Sequence, residues 1–153
     1  MPLYFYSTRE PYGEFSNFSK HGVEIDGLWW ATTEHYFQAQ KFEDADYREQ
    51  IRNASSAKLA AELGRDRSKP LRSDWEAVKE DVMHRAVRAK FEAHPALKTL
   101  LLSTGKEDIV ENAPGDYYWG CGGDYYWGCG KDGSGKNRLG HILMQVRAEM
   151  AQG

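Results

Sequence analysis

The stretch SDWEAVKEDVMHRAVRAKFEAH, Ser73–His94, decides the fold. Within it Trp75, Val78, Val82, Ala86 and Ala89 recur at intervals of three and four residues, the period that gathers apolar side chains on one face of an α-helix. Ser73 and Glu76 stand at capping-box spacing at its start. A helix of this length must bury its apolar face, and the flanking sequence supplies partners. Upstream, Ser55 or Ser56 can cap AKLAAEL, which Gly64 would end, and Thr32 or Thr33 can cap EHYFQAQKF. Downstream, Pro95 fits the first turn of a helix that carries Leu97, Leu100 and Leu101 and stops at Gly105. A last helix from about Asn137 places Leu139, Ile142, Leu143, Val146 and Met150 on one face.

The first thirty residues read differently. LYFY is β-prone, and VEIDGLWW is two β-prone runs joined by Asp26-Gly27, a dipeptide whose positions both tolerate positive φ and favour a two-residue hairpin. The expected fold is α+β and predominantly helical, with about six helices and a short N-terminal β-hairpin or small sheet. With 153 residues, 41% hydrophobic and 13% aromatic, a single domain over 1–153 can bury an ordinary core.

Composition narrows the function. A net charge of −3 gives no long-range attraction to a polyanion, so sequence-independent nucleic-acid binding is disfavoured, while a local phosphate site stays open. The longest aliphatic run is Leu100–Leu102, and MPLYFYSTRE has neither the basic start nor the apolar stretch of a signal peptide, so a cytoplasmic protein without membrane association is expected. Cys121 and Cys129 occupy the same place in two copies of GDYYWGCG, Gly115–Gly122 and Gly123–Gly130, which implies no disulfide framework, and the five histidines show no zinc-ligand spacing with them. Two units of eight are too short for a solenoid.

The glycine-rich segment that follows leads into the last helix. Glycines admit close approach of a ligand to the backbone, and a helix N-terminus offers unpaired N–H groups, so an anion suits this loop, with Lys131 and Lys136 adding charge. The register Gly130 to Gly135-Lys136-Asn137 nearly matches a nucleotide-binding P-loop, but Asn137 replaces the hydroxyl residue that would hold magnesium.

Elsewhere, Glu34, Gln38 and Lys41 stand at i, i+4 and i+7 on one face of a continuous helix, Glu34 and Lys41 about 10 Å apart along its axis. Spacing alone reads as a solvated polar stripe, yet Phe37 sits in the middle of it. GRDRSKPLR sets Arg65, Arg67, Lys69 and Arg72 around Asp66, surface decoration or a phosphate grip. Arg85, Arg88 and Lys90 lie partly on the side of the long helix away from Trp75, where a solvent face is expected.

Taken together, FSNF at Phe15–Phe18, TTEHYFQAQKF at Thr32–Phe42, GRDRSKPLR at Gly64–Arg72, VMHRAVRAKF at Val82–Phe91 and DYYWGCGKDGSGKNRLG at Asp124–Gly140 closely resemble the YbiA-like family of the NADAR superfamily. The resemblance implies an N-glycosidase, without metal or cofactor, that cleaves the ribosyl–amine bond of phosphoribosylamino-pyrimidines, early intermediates of riboflavin biosynthesis, to ribose 5-phosphate and free base. The alternative it allows is removal of ADP-ribose from guanine; a non-catalytic ligand sensor on the same fold is a third reading. The partner is thus a phosphorylated ribosyl-pyrimidine or an ADP-ribosylated guanine, with nucleic acid only as a modified substrate.

The roles implied follow the chemistry. Loss of the amine builds positive charge on ribose C1, which Glu34 can stabilise or relieve by taking a proton from water. Lys41 can hold a phosphate or hydroxyl, or attack the opened sugar as an amine, with Lys90 a weaker candidate for the same work. Tyr126 and Trp127 would stack on the base; Gly128, Lys136, Asn137 and Arg65 would receive phosphate; Gln38 and Asn17 would bind base or ribose. The family pattern has one D-x-x-W-G unit where this chain has two, and the second copy, with Asp124 as a third catalytic candidate, joins the following helix at the family's spacing.

Overall fold

The computed structural model describes residues 2–112 and 136–152. Among them are six α-helices and four short strands: β1 (Leu3–Phe5), β2 (Val23–Ile25), β3 (Leu28–Trp30), α1 (Thr33–Ala39), α2 (Ala45–Arg52), α3 (Ala57–Gly64), α4 (Trp75–Ala93), α5 (Pro95–Ser103), β4 (Ile109–Glu111) and α6 (Arg138–Gln152). The helix-rich α+β class is as expected. No described helix is long and apolar enough to cross a membrane. The chain divides into two compact units, Asn17–Ala93, and Met1–Ser16 with His94–Gly153.

In the first unit, β2 and β3 pair antiparallel with Ile25 opposite Leu28. Asp26 and Gly27 take φ of 55° and 81°, the mirror-image turn that two-residue hairpins require. Val23, Ile25 and Trp30 point into a core completed by Tyr36, Ala39, Phe42, Tyr47, Ile51, Ala60 and Ala86. Edge-to-face ring pairs lock it: Trp30 on Tyr36 at 5.4 Å and Phe42 on Tyr47 at 4.9 Å between centroids. Tyr47 and Ile51, one helical turn apart, are the buried residues of α2. Its N-cap, Asp44, accepts from the backbone N–H groups of Asp46 and Tyr47.

The long helix α4 is present and begins at Trp75, as expected, with Asp74 rather than Ser73 standing directly before it. Asp74 supplies the carbonyl that accepts from Val78 N–H, while Glu76 accepts from Lys79 across the first turn. Its buried positions are Trp75, Met83, Ala86, Val87, Lys90 and Phe91, so the inward face is rotated from the expected one: Val82 and Ala89 are only partly buried against the core. Lys90 is therefore no part of a solvent face. It is 1% exposed, in the interior.

In the second unit, β1 runs parallel to β4, Leu3 opposite Ile109 and Phe5 opposite Glu111. Pro95 opens α5, and Gly105, at φ 63°, follows its end. Leu139, Ile142, Leu143, Val146 and Met150 of α6 are all buried, as their spacing predicts. Asn137, ahead of α6, ties that helix to β4. Its Nδ2 donates to Ile109 O at 2.8 Å and its Oδ1 accepts from Glu111 N–H at 3.0 Å.

Candidate active site

The chemistry-bearing residues of the first unit gather around α1. Thr32 caps this helix, its hydroxyl accepting from His35 N–H at 3.2 Å and lying 2.7 Å from His35 Nδ1. Asn17 fastens the same end: its backbone carbonyl accepts from Glu34 N–H, and its Oδ1 accepts from the Thr33 hydroxyl at 2.8 Å. The Asn17 Nδ2 lies 3.2 Å from the Met83 sulfur on α4. All seven residues of α1 are buried, which explains why Phe37 stands in the polar stripe. Its ring packs at 5.2 Å on Trp75 and carries the Lys41 ammonium 5.7 Å above it.

α1 ends at Ala39, not Phe42. Lys41 N–H bonds back to Gln38 O and Phe42 N–H to Ala39 O, tightening the chain so that Phe42 enters the core. Lys41 thus lies in the turn after α1, where its carbonyl accepts from Arg72 N–H at 2.8 Å. The continuous-helix separation from Glu34 does not apply, and the two charges act on each other.

Glu34 is 9% exposed and Gln38 is 6% exposed. Gln38 Nε2 donates to Glu34 Oε2 at 2.6 Å. Burial pushes the Glu34 carboxyl above its ordinary pKa, while the hydrogen bond from Gln38 and the charges of Lys41 and Arg65 pull it back. Lys41 is pushed down to about 8, chiefly by burial; Glu34 opposes the shift, and Arg67, Arg65 and Lys79 reinforce it. Glu34 therefore shares this region with Lys41, Arg65, Arg67 and Lys79, the last of them paired with Glu76.

Of the residues singled out in the sequence, the structure brings together Glu34, Gln38, Lys41 and Arg65, with Asn17 at the root of α1. Lys90 is buried on α4 in the same unit, and Lys136 and Asn137 belong to the other. Lys136 is exposed, and both ends of the Asn137 amide are engaged by β4. Asp124, Tyr126, Trp127, Gly128 and both octapeptides lie outside the described residues. Sequence reasoning assigned no place in the site to Thr33, which anchors Asn17, to Trp75, the wall behind Phe37, or to Lys79, a charge on Lys41. The signal for Trp75 and Lys79 was their place on the first turns of the long helix, beside the basic GRDRSKPLR segment.

A helix-rich α+β fold with a buried carboxylate set against a lysine of lowered pKa fits a family-level match: the model of the NADAR domain matches residues 4–151, and the chain belongs to that family. It is 54% identical over 147 residues to N-glycosidase YbiA of Escherichia coli (strain K12), covering 96% of this chain and 87% of that one. The NMR structure of E. coli YbiA superposes with a TM-score of 0.85 at 53% identity, covering 98% of this chain and 84% of that one. Riboflavin biosynthesis protein VVA0006 of Vibrio vulnificus (strain YJ016) is 38% identical over 151 residues, which are 99% of this chain and 39% of that protein.

Proposed function

We propose that this chain is an N-glycosidase that hydrolyses the ribosyl–amine bond of a phosphorylated ribosyl-pyrimidine of riboflavin biosynthesis, in the cytoplasm. The observation that carries the reading is the Glu34–Lys41 pair: a buried carboxylate with a raised pKa beside a lysine lowered to about 8. Paired groups with opposed shifts are the signature of acid–base work near neutral pH. Relatives named for N-glycosidase activity and for riboflavin biosynthesis favour the pyrimidine over ADP-ribosylated guanine.

The geometry suits the reaction. As the C1–N bond breaks, positive charge grows on the ribosyl carbon, and the Glu34 carboxylate stabilises it. Water adds to C1, and the proton that Glu34 takes from it is the one the departing amine gains, so the step balances. The cations Lys41, Arg65 and Arg67 suit the substrate's 5′ phosphate. A lysine near 8 also holds a usable fraction of free amine at neutral pH, enough to attack an opened sugar. Separate Glu34→Gln and Lys41→Ala variants, assayed for ribose 5-phosphate release from a phosphoribosylamino-pyrimidine, test the assignment, and full activity in both would sink it. Borohydride trapping of a sugar adduct that disappears in Lys41→Ala selects amine attack over direct hydrolysis.

A further inference from the structure

We propose that Gly64, the last residue of α3, is a positioning residue of this site: its missing side chain leaves the space in which the Gln38 amide lies against the Glu34 carboxylate. The inference rests on the reading above, in which Glu34 acts on the ribosyl carbon.

Gly64 is buried within α3, and Arg65 after it is still right-handed helical at φ −89°. Gly27 and Gly105 are the described glycines at positive φ, so Gly64 is not needed to turn the chain. An alanine would suit the helix better by roughly 1 kcal/mol. Space is the remaining reason for a glycine. A methyl group there would overlap Gln38 Oε1 outright and lie 2.7 Å from Gln38 Cδ and 3.1 Å from its Cβ, so the amide would have to shift.

The amide is held in one sense. Nε2 faces Glu34, and Oε1 is buried without a hydrogen-bond partner among the described residues. A buried unpaired acceptor is costly. Turning the amide over would set Oε1 against Glu34 Oε2 at 2.6 Å, two acceptors in contact while Glu34 is ionised. The stranded oxygen follows from pointing the donor at the carboxylate. Glu34 also feels the charges of Lys41, beyond α1, and of Arg65, after α3, while Arg67 and Lys79 act on Lys41. Gln38 is the neutral donor that steers one of its oxygens.

Two readouts test this: kcat/KM against pH for release of ribose 5-phosphate from a phosphoribosylamino-pyrimidine, and the carboxyl ¹³C titration of Glu34 by NMR. Gly64→Ala is expected to move the acid limb and the Glu34 titration to higher pH, because the bond that favours the carboxylate is lost, and to lower kcat/KM on the acid side by about tenfold or more. In a Gln38→Ala background the same substitution should add no further shift of the Glu34 titration, since the amide is already gone and only the 3.1 Å approach to Cβ of residue 38 remains. An unmoved Glu34 titration in Gly64→Ala, or a full further shift in the double variant, overturns the proposal. Should Gly64→Ala not fold, the double variant decides: folding with the pH profile of Gln38→Ala supports the proposal, and failure to fold overturns it. Full activity in Glu34→Gln would instead defeat the functional reading, and the NMR titration would still decide what Gly64 does.

Discussion

Replacing Glu34 by Gln should lower the pKa of Lys41, and the effect is open to direct titration. In the native protein burial brings the Lys41 amine from 10.5 to about 8 against the opposing pull of Glu34. At pH 7 a group at 8 is about 9% unprotonated, roughly three hundred times the fraction of one at 10.5. Glu34→Gln removes the charge that opposes the shift and leaves Arg65, Arg67 and Lys79 in place, so the amine should lose its proton at lower pH still. Acetylation of Lys41 followed by peptide mass spectrometry from pH 6 to 11 gives the midpoint directly. The linked stability has a definite sign: the unfolded chain keeps this proton to about 10.5 while the folded chain releases it near 8, so unfolding free energy rises with pH across that window. The rise is on the order of 3 kcal/mol at most, and Lys41→Met should abolish it. A Lys41 midpoint near 10.5, or one that Glu34→Gln raises, would refute the electrostatic picture.

Two further substitutions probe the scaffold. Thr32→Ala removes the hydroxyl that accepts from His35 N–H and should cost about 1 kcal/mol in urea unfolding; no loss would mean that packing alone fixes the start of α1. Asn137→Ala deprives Ile109 O and Glu111 N–H of their partners and puts an alanine at φ 48°, an expected loss of roughly 2–4 kcal/mol; Asn137→Gly removes only the φ strain and should fall between alanine and the parent.

Much of the fold was legible because local and tertiary demands agree. The apolar period of α6, the Asp26-Gly27 turn and the Thr32 cap each name an element whose packing repeats the local preference. The face of α4 was less legible, since Lys90 sits in the interior where its charge argued for solvent. α2 carries few apolar residues, and Tyr47 and Ile51 are those it buries. Gly64 does end α3, as expected, but without a positive φ, and sequence cannot tell a glycine needed for its φ from one that fits by its lack of volume. Within the site, Glu34 and Gln38 were readable as helix neighbours. The place of Lys41 was not, because the turn after Ala39 is set by the burial of Phe42.

In the proposed function the Glu34 carboxylate acts on the ribosyl carbon. The most direct test is single-turnover release of ribose 5-phosphate from a phosphoribosylamino-pyrimidine by the native protein and by Glu34→Gln, an isosteric change that keeps the shape of the site. Glu34→Gln should lose about a hundredfold or more in the chemical step with the fold intact. Release at the native rate by folded Glu34→Gln would contradict that role.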